Sequence, residues 1–174
     1  MAVLYTDRLV LRDFCETDVD PLYAIQGNQE YMQFTHWAES REACAAWLRR
    51  YADSLQANGF APRTVVKRSA ERVIGWGGLN IDPFDPGWGV EVSYFIHPDC
   101  AGQGYATELV LASLQHGFGD LGLEAIGAFA MPQNQASGRV LEKCGFTLTG
   151  YEPALERNHY ELPRDRWSGA MKSA

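Results

Sequence analysis

The sequence predicts a mixed α/β fold with a mostly antiparallel sheet of about seven strands, flanked by about four helices. A length of 174 residues with 46% hydrophobic residues suits one compact domain, expected to span residues 1–174. Three strand-like runs follow one another in the middle of the chain, and a helix and further strands alternate after them. No repeat, linker or low-complexity tract separates these segments.

The first strand and the first helix are predicted close to the N-terminus. In the segment RLVLRDF, Leu9 and Leu11 alternate with other side chains, which is typical of a strand. Thr17 or Asp18 is expected to cap a short helix through DVDPLYAIQGN, because both side chains can accept hydrogen bonds from helical amides. Pro21 suits the first turn, where an amide has no helical partner.

The second helix is predicted to begin after Ser40 and to end at Asn58-Gly59. Its apolar residues recur at the spacing that places them on one face of a helix, while charged residues fall elsewhere. The predicted buried face consists of Cys44, Trp47, Leu48, Tyr51 and Leu55.

Three strands are predicted next, in the segments APRTVVKR, RVIGWGGLNI and GVEVSYFI. The short SAE segment and the turn-rich DPFDPG segment connect them. Such short connections indicate an antiparallel meander.

A third helix is predicted in ATELVLASLQHGF and ends near Gly119 and Gly122. Its apolar stripe consists of Leu109, Val110, Leu114 and Phe118. The segment AIGAFAM is almost wholly apolar, which predicts a strand covered on both faces. A last helix runs from about Gln135 to Lys143 and stops at Gly145, and FTLTGYEPALERNHYELP supplies two closing strands.

The formal net charge of −7 limits the classes of partner. Nucleic-acid binding requires clustered Lys and Arg, so we expect no nucleic-acid partner. A negative surface favours amines, polyamines or basic protein tails, although the same balance serves solubility equally well.

The cysteines and the N-terminus indicate a cytoplasmic protein. The sequence lacks the basic start and apolar block of a secretory signal, and no apolar run reaches the roughly 20 residues that span a bilayer. We therefore expect no membrane partner. Four cysteines lie far apart without C-x-x-C pairing and are expected to be free thiols, with two of them acting as buried hydrophobic residues: Cys100 and Cys144.

The segment CAGQGYATE, residues 100 to 108, follows a predicted strand and leads into a predicted helix. Gly102 and Gly104 keep side chains away from the helix N-terminus, and Ala106 is small, so main-chain amides there can bind an anion. The segment lacks the motifs of nucleoside triphosphate and dinucleotide sites, which indicates a phosphate ester of another kind. A glycine-rich connection of this type is also frequent for purely structural reasons.

The order of several segments resembles the GNAT acetyltransferase superfamily, in its RimJ/RimL-type branch of ribosomal-protein N-terminal acetyltransferases and their relatives. CAGQGYATELVLASL is similar to the family's pyrophosphate-binding segment, and VEVSYFIHP to its central strand. TDRLVLRDFCETDVDPLY resembles the branch's opening, NQASGRVLEKCGF its last helix and HYELPRDRW its closing strand. The resemblance covers roughly residues 5 to 167.

The resemblance implies acetyl-CoA as donor and coenzyme A as product. It implies that loop amides hold the pyrophosphate with a hydroxyl nearby, at Gly102, Gln103, Gly104, Tyr105, Ala106 and Thr107. It implies that pantetheine pairs with the edge of the central strand, at Tyr94, Phe95 and Ile96, and that this strand splays from its neighbour. Ala101 departs from the Trp, Arg or Gln that often stands at the start of the motif, which predicts somewhat weaker binding.

Two further residues match the branch in the segment NQAS. Asn134 could donate its amide to a pantetheine carbonyl or cap the last helix. Ser137 could approach the thioester sulfur or serve as a small residue that allows close packing.

Glu91 is the predicted catalytic base. Alternation in GVEVSYFI places Glu91, Ser93 and Phe95 on one face of the central strand, and the position matches a glutamate frequent in the branch. The carboxylate could take a proton from an ammonium directly or through water; otherwise it is a solvated or ion-paired strand residue. Ser137, Tyr160 or solvent would protonate the leaving thiolate.

The acceptor is predicted to be an amine, either at a protein N-terminus or in a small molecule. His36 and Trp37 fall where the family builds its acceptor pocket, and an aromatic ring there could bind an amine, although Trp37 could also simply pack under the loop. The histidines show no metal-ligand spacing with each other or with cysteine, so we expect no metal.

Three functional hypotheses remain at this level. The first is an acetyl-CoA-dependent N-acetyltransferase that uses direct attack on the thioester. The second is a non-catalytic acyl-CoA sensor or interaction module on the same fold, and the third is an enzyme with a longer acyl donor, against which the bulk of Phe95 argues. Tryptophans expected at edges and turns could form a homodimer interface or an acceptor groove: Trp37, Trp76, Trp88 and Trp167.

Overall fold

The computed structural model of the protein describes residues 3–169, which contain an eight-stranded sheet in the order β1-β2-β3-β4-β5-β6-β8-β7. The strands are β1 Leu4–Tyr5, β2 Leu9–Arg12, β3 Arg63–Lys67, β4 Arg72–Asn80, β5 Glu91–Ile96, β6 Ala125–Ala130, β7 Thr147–Glu152 and β8 Arg157–Pro163. The sequence predicts seven of them, and the eighth is the two-residue β1. All neighbouring pairs are antiparallel except β5 and β6, so the predicted meander of β3, β4 and β5 is confirmed.

Four α-helices flank the sheet: α1 Val19–Gln26, α2 Arg41–Asn58, α3 Tyr105–Leu114 and α4 Gln135–Lys143. The predicted limits of α2 are confirmed, because the Ser40 hydroxyl accepts a hydrogen bond from the Ala43 amide and Gly59 ends the helix with φ 78°. Beyond its regular part, α3 continues as a π-helical segment from Gln115 to Asp120.

The prediction that Thr17 or Asp18 caps α1 with its side chain is wrong. Asp18 precedes α1, but its carboxylate makes no capping bond and is 2% exposed. It accepts two bonds from Arg12 at 2.6 Å, one from the Thr64 hydroxyl at 2.7 Å and one from the Cys15 amide at 3.0 Å. Burial raises the pKa of this carboxyl, but these bonds outweigh burial and hold the pKa below its usual value. Asp18 thus joins α1 to the sheet.

The parallel pair in the centre of the sheet is short. β5 and β6 pair at Glu91 opposite Gly127, where the Gly127 amide donates to the Val90 carbonyl at 2.8 Å. Towards Ile96 the two strands diverge, since no further pair joins them. The splay that the family resemblance implies is therefore present, and it opens a cleft through the sheet.

The prediction that the segment AIGAFAM is covered on both faces is wrong in detail. Along β6, Ile126, Ala128 and Ala130 are buried, whereas Gly127 and Phe129 are only partly buried. The strand therefore alternates like a strand with one core face. Its second face looks towards the cleft rather than towards a second layer of helices.

Two apolar clusters lie on opposite sides of the sheet. The larger cluster contains residues of α3 and α4 together with Val92 and Ile126. The smaller cluster contains residues of α1 and α2 together with Trp76 and Phe95. Trp76 is 2% exposed, so its predicted place at an exposed edge is wrong. Trp167 is likewise half-buried, with its ring 5.2 Å from that of Phe118.

Candidate active site

Two cavities meet at the cleft between β5 and β6. The loop-side groove, of about 630 Å³, lies along the connection after β5, the first turn of α3 and one face of α4. The aromatic cavity, of about 470 Å³, lies among α2, β4, β5, β6 and the connections β4–β5 and β7–β8. Six residues line both: Phe34, Thr35, Tyr94, Phe95, Asn134 and Ser137. A ligand in one cavity can therefore reach a ligand in the other.

The glycine-containing connection forms the end of the loop-side groove. Gly102 and Gly104 have φ values of 70° and 83°, which are left-handed conformations that favour glycine. A Cβ at Gly102 would have no atom within 4 Å, so the groove is open at that point. The first helical bond of α3 runs from the Glu108 amide to the Gly104 carbonyl at 3.0 Å, which leaves the amides before it outside the helical ladder.

The side chains of two predicted loop residues are held by other contacts, so these residues can bind a ligand only through their main-chain amides. The Gln103 side chain donates to the Asp99 carbonyl at 2.8 Å and does not line the groove. The Tyr105 ring is buried beneath the guanidinium of Arg8, 4.5 Å from the ring centroid. Ala106 and Thr107 line the groove, as the resemblance implies.

An ion pair that the sequence analysis missed holds this loop against the N-terminal strands. Arg8 donates through Nε to Glu108 at 2.6 Å and through Nη1 to the Gln103 carbonyl at 2.9 Å. Glu108 also accepts from the Arg8 amide at 2.9 Å and from the Thr6 hydroxyl. Burial raises the pKa of Glu108, but these donors together lower it below its usual value. The pair therefore stays charged at neutral pH.

The chemistry of the groove suits an anionic ligand such as a phosphate ester. Arg139 and Lys143, one turn apart on α4, line it and were not singled out from the sequence. Two cations facing a helix N-terminus favour an anionic ligand. Tyr94, Phe95 and Ile96 line the same groove along the free part of β5, where an extended arm could pair with the strand.

Glu91 lies where β5 and β6 still pair, and its side chain lines the aromatic cavity. Burial raises the pKa of this carboxyl to about 7, with Asp82 and Asp85 adding to the shift and Arg157 opposing it. At neutral pH the side chain can therefore both accept and return a proton.

Aromatic side chains from α2, β4, β5, β6 and the β4–β5 connection line much of the aromatic cavity. They include Trp47, Tyr51, Trp76, Phe84, Trp88, Phe95 and Phe129. Trp47 lies 4.7 Å from Trp76, and Trp88 lies 5.2 Å from Phe129, measured between ring centroids. Rings arranged in this way present π-faces that attract a cation and apolar surface that holds its carbon skeleton.

Comparison with known proteins shows which family has this fold. Residues 8–147 match the profile of the family described as the acetyltransferase (GNAT) domain. This chain belongs to the GNAT acetyltransferase family. An uncharacterized N-acetyltransferase, p20 of Bacillus licheniformis, is 30% identical over 165 residues, which cover 90% of this chain and 91% of the relative. The enzyme is thus an N-acetyltransferase, and enzymes of this family use acetyl-CoA.

Two solved structures support the same fold. An acetyltransferase from Agrobacterium tumefaciens str. C58 has a TM-score of 0.80 at 21% identity and covers 93% of this chain and 94% of its own. RimL, a ribosomal L7/L12 alpha-N-protein acetyltransferase solved with coenzyme A, also has a TM-score of 0.80, at 19% identity, with 95% and 99% covered. The GNAT fold that the sequence suggests is confirmed, and RimL shares this fold. Among residues 3–169 no helix has the length and apolar character needed to cross a bilayer.

Asn134 and Ser137 lie together where the two cavities of this GNAT domain join. The Asn134 side-chain oxygen accepts from the Ser137 amide at 3.1 Å and so caps α4, which leaves its NH₂ group as a donor. The Ser137 hydroxyl lies 3.0 Å from the Tyr94 hydroxyl. Burial raises the pKa of Tyr94 to about 12, although the Ser137 bond lowers it in part.

The Tyr94 hydroxyl is a candidate site group that the sequence analysis did not assign. The family resemblance implied a role only for the backbone of Tyr94, because the position of its side chain relative to α4 is a tertiary property. Tyr160, named as a source of a proton, is 5% exposed and lines neither cavity. Its hydroxyl lies against Gly138, where an added Cβ would come within 3.0 Å. Tyr94 therefore stands where Tyr160 was expected.

Of the two residues predicted to bind the acceptor, only His36 lines a cavity. His36 lines the aromatic cavity and stacks on Trp47 at 5.3 Å, and burial lowers its pKa, so the ring is neutral at pH 7. Trp37 lines neither cavity, and its indole donates to the Gly27 carbonyl at 3.1 Å. Trp37 thus packs over the end of α1 rather than against an acceptor.

The two thiols near the site are buried. Cys100 lines the groove but is 6% exposed, and Cys144 is 7% exposed. Burial raises the pKa of Cys144 to about 12, so it remains a thiol. Both behave as the buried hydrophobic residues that the sequence predicts.

Proposed function

We propose that this N-acetyltransferase transfers an acetyl group from acetyl-CoA to a primary amine, at a protein N-terminus or in a small molecule, by direct attack on the thioester. The observation that carries the proposal is the junction of the two cavities. Glu91 faces the aromatic cavity, and the Tyr94–Ser137 hydroxyl pair lies where that cavity meets the groove. An amine and a thioester that enter from opposite sides of the sheet would meet between these groups.

Glu91 takes the first proton. Its carboxyl has a pKa of about 7, whereas an α-amino group has a pKa of about 8 and a lysine ammonium about 10.4. Proton transfer to Glu91 therefore costs about 1 kcal/mol from an α-amine but about 4 to 5 kcal/mol from a lysine side chain. This difference favours amines of low pKa.

The neutral amine nitrogen then forms a bond to the acetyl carbon, and the carbon–sulfur bond breaks with its electron pair on sulfur. The nitrogen loses a second proton as the amide forms. Ser137 and Tyr94 can pass this proton to the thiolate, because each hydroxyl donates one proton while it accepts another. Neither hydroxyl has to ionise, which suits the raised pKa of Tyr94. The products are the N-acetyl amide, coenzyme A thiol and one proton held by Glu91.

The geometry of Asn134 supports the binding part of the proposal. Asn134 lines the groove together with Tyr94 and Ile96 of β5, so its NH₂ group can donate to an amide carbonyl of the pantetheine arm. A protein N-terminus is supported as one acceptor class by the fold that this chain shares with RimL, which is described as an alpha-N-protein acetyltransferase.

The test is release of free thiol from acetyl-CoA across a panel of N-terminal peptides, polyamines and aminoglycosides. We expect at least one class to be acetylated, with the product mass increased by one acetyl group. Replacing acetyl-CoA by hexanoyl-CoA should abolish turnover if Phe95 limits the acyl pocket. Binding of coenzyme A without thiol release on any amine would contradict the proposal and favour a non-catalytic acyl-CoA sensor.

A further inference from the structure

We propose that the acceptor is a small amine that also carries an anionic group, and that Arg157 binds this group while the amine lies at Glu91. The inference rests on the proposed function, since it concerns the acceptor of the same reaction. It assigns to Arg157 a specificity role at the aromatic cavity.

The first observation is that the Arg157 guanidinium forms no direct bond to a carboxylate among the described residues, although its charge lowers the pKa of Glu91. Five other arginines form ion pairs with carboxylates: Arg8, Arg12, Arg41, Arg49 and Arg164. Arg157 forms no ion pair and no side-chain hydrogen bond within residues 3–169, although it lines the aromatic cavity. A guanidinium with five donors and no acceptor favours a carboxylate or phosphate from a ligand.

The second observation concerns the three carboxylates that line the same cavity. Asp82 accepts from the Phe84 amide at 2.8 Å, and Asp85 accepts from the Trp88 indole at 2.9 Å. These two aspartates therefore brace the β4–β5 connection. Glu91 lies on β5, and no ion pair joins it to Arg157. The cavity thus holds one cation and one base that influence each other through space but form no ion pair.

The register of the sheet determines the distance between the backbones of Glu91 and Arg157. Glu91 lies opposite Gly127, which lies opposite Glu161, so these three residues form one row on one face of the sheet. Arg157 is four residues along β8 from Glu161 and therefore shares that face. The separation is about 13 Å along the strands and about 10 Å across them at the backbone. Both side chains extend over the cavity, so an acceptor with a short spacer between amine and anion can contact both.

The third observation limits the size of the acceptor. The β4–β5 connection crosses the aromatic cavity, with the Phe84 ring 6.1 Å from Tyr51 of α2 and the Trp88 ring 5.2 Å from Phe129 of β6. A cavity of about 470 Å³ below this connection has the volume of a small-molecule site. The spacer of the acceptor would pack on these rings, which favours an aromatic or branched apolar skeleton.

The chemistry of the reaction is unchanged by this inference. The amine nitrogen forms the bond to the acetyl carbon, the sulfur leaves with the electron pair, and the anionic group only anchors the acceptor. Arg157 is therefore a binding residue for the acceptor and does not touch the reacting atoms.

The test compares matched pairs of amines that differ in one anionic group. The pairs are phenylalanine with phenethylamine, 4-(aminomethyl)benzoate with benzylamine, and O-phosphotyramine with tyramine. In at least one pair we expect the wild-type enzyme to prefer the anionic member in kcat/KM. R157M should lower kcat/KM for that member by about 10- to 100-fold, as expected for loss of a charge-assisted hydrogen bond, mainly through KM.

Two further variants complete the design. R157K keeps the charge but loses the fork of donors, so its effect should lie between wild type and R157M. R50M removes an exposed arginine on α2 and should leave every kcat/KM within about twofold, which serves as the matched control. At a pH high enough to deprotonate Glu91 fully in both enzymes, the neutral member of each pair should be acetylated equally by wild type and R157M.

Several outcomes would overturn the inference. Equal losses for both members of each pair, with a shifted pH profile, would show that Arg157 acts only on Glu91. A peptide N-terminus acetylated faster than every anionic amine, or wild-type preference for the neutral members, would also contradict it. In these cases thiol release still occurs and the proposed function stands. If no amine releases thiol, the proposed function fails, and calorimetric titration of the same pairs into wild type and R157M with coenzyme A decides whether Arg157 binds the anion.

Discussion

The loop-side groove and the aromatic cavity of this enzyme are built in opposite ways. Half of the residues that line the groove belong to one continuous stretch, from Tyr94 to Thr107, and this stretch includes the glycine-containing connection. The cavity is formed by side chains from α2, β4, β5, β6 and two connections that lie far apart in sequence. Under the proposed function, the donor site depends on backbone shape, whereas the acceptor site depends on particular charges and rings. The comparison explains why one fold can keep its donor while its acceptor changes.

The largest expected effect comes from the cavity. Glu91→Gln should lower kcat/KM for the amine by about 10²- to 10⁴-fold, because the variant loses its base. The affinity for coenzyme A, measured by calorimetry, should not change, since Glu91 lies on the acceptor side. Glu161→Gln, in the same row of the sheet, is the matched control and should retain activity. Equal activity of Glu91→Gln and wild type would remove the base from the mechanism.

The pH dependence of kcat/KM provides a second test of Glu91 as the base. The Glu91 carboxyl has a pKa of about 7 and acts as a base only when deprotonated. The ratio of wild-type to Glu91→Gln kcat/KM should therefore fall by about tenfold for each pH unit below 7 and level off above it. Taking this ratio cancels the titration of the amine itself. A ratio that is constant from pH 5 to 9 would contradict the assignment.

The next effect belongs to the groove and acts through the backbone. Gly102→Val should weaken coenzyme A binding by about tenfold or more, because a side chain at the open end of the groove blocks the approach of phosphate. Gly59→Val is the matched control, since Gly59 also has a positive φ and open space around its Cβ. Both variants should lose similar stability in thermal unfolding. Equal coenzyme A affinity in the two would show that the loop does not hold the donor.

The smallest effect concerns the ion pair behind the groove. Glu108→Gln removes the charge that holds Arg8 against the loop and should raise KM for acetyl-CoA by about two- to fivefold at constant kcat, as expected for a partly exposed pair. Glu142→Gln on the exposed face of α4 provides the control. A change in kcat without a change in KM would place Glu108 in a different role.

The two regions also differed in how far the sequence predicted them. The meander, the limits of α2 and α4 and the glycine connection were predicted correctly, because each depends on local periodicity, capping or φ. The Arg8–Glu108 pair was missed because 100 residues separate its members and no local pattern links them. Arg157 was missed for the same reason, since only the pairing of β8 with β6 brings it to the cavity.

The wrong predictions have related causes. Asp18 has the side chain of a helix cap, but Arg12 and Thr64 offer its carboxylate stronger partners across the fold. Trp76 lies among glycines in the sequence and was expected at an edge or turn. In the fold, Trp47 and Tyr51 of α2 pack on its ring. Trp37 lies next to His36 in sequence, but the two side chains point to different partners. Each of these depends on packing between elements, which propensity does not report.

The short pairing of β5 with β6 divides the sheet into a five-stranded part and a three-stranded part joined by a single row of residues. An extended pantetheine arm lying along β5 would occupy part of the gap between them. Donor binding would then add backbone hydrogen bonds along β5, where the sheet has the fewest. The donor-bound protein should therefore be more stable to unfolding than the free protein. The opening proposed to admit the thioester is thus also the place where the fewest paired residues join neighbouring strands.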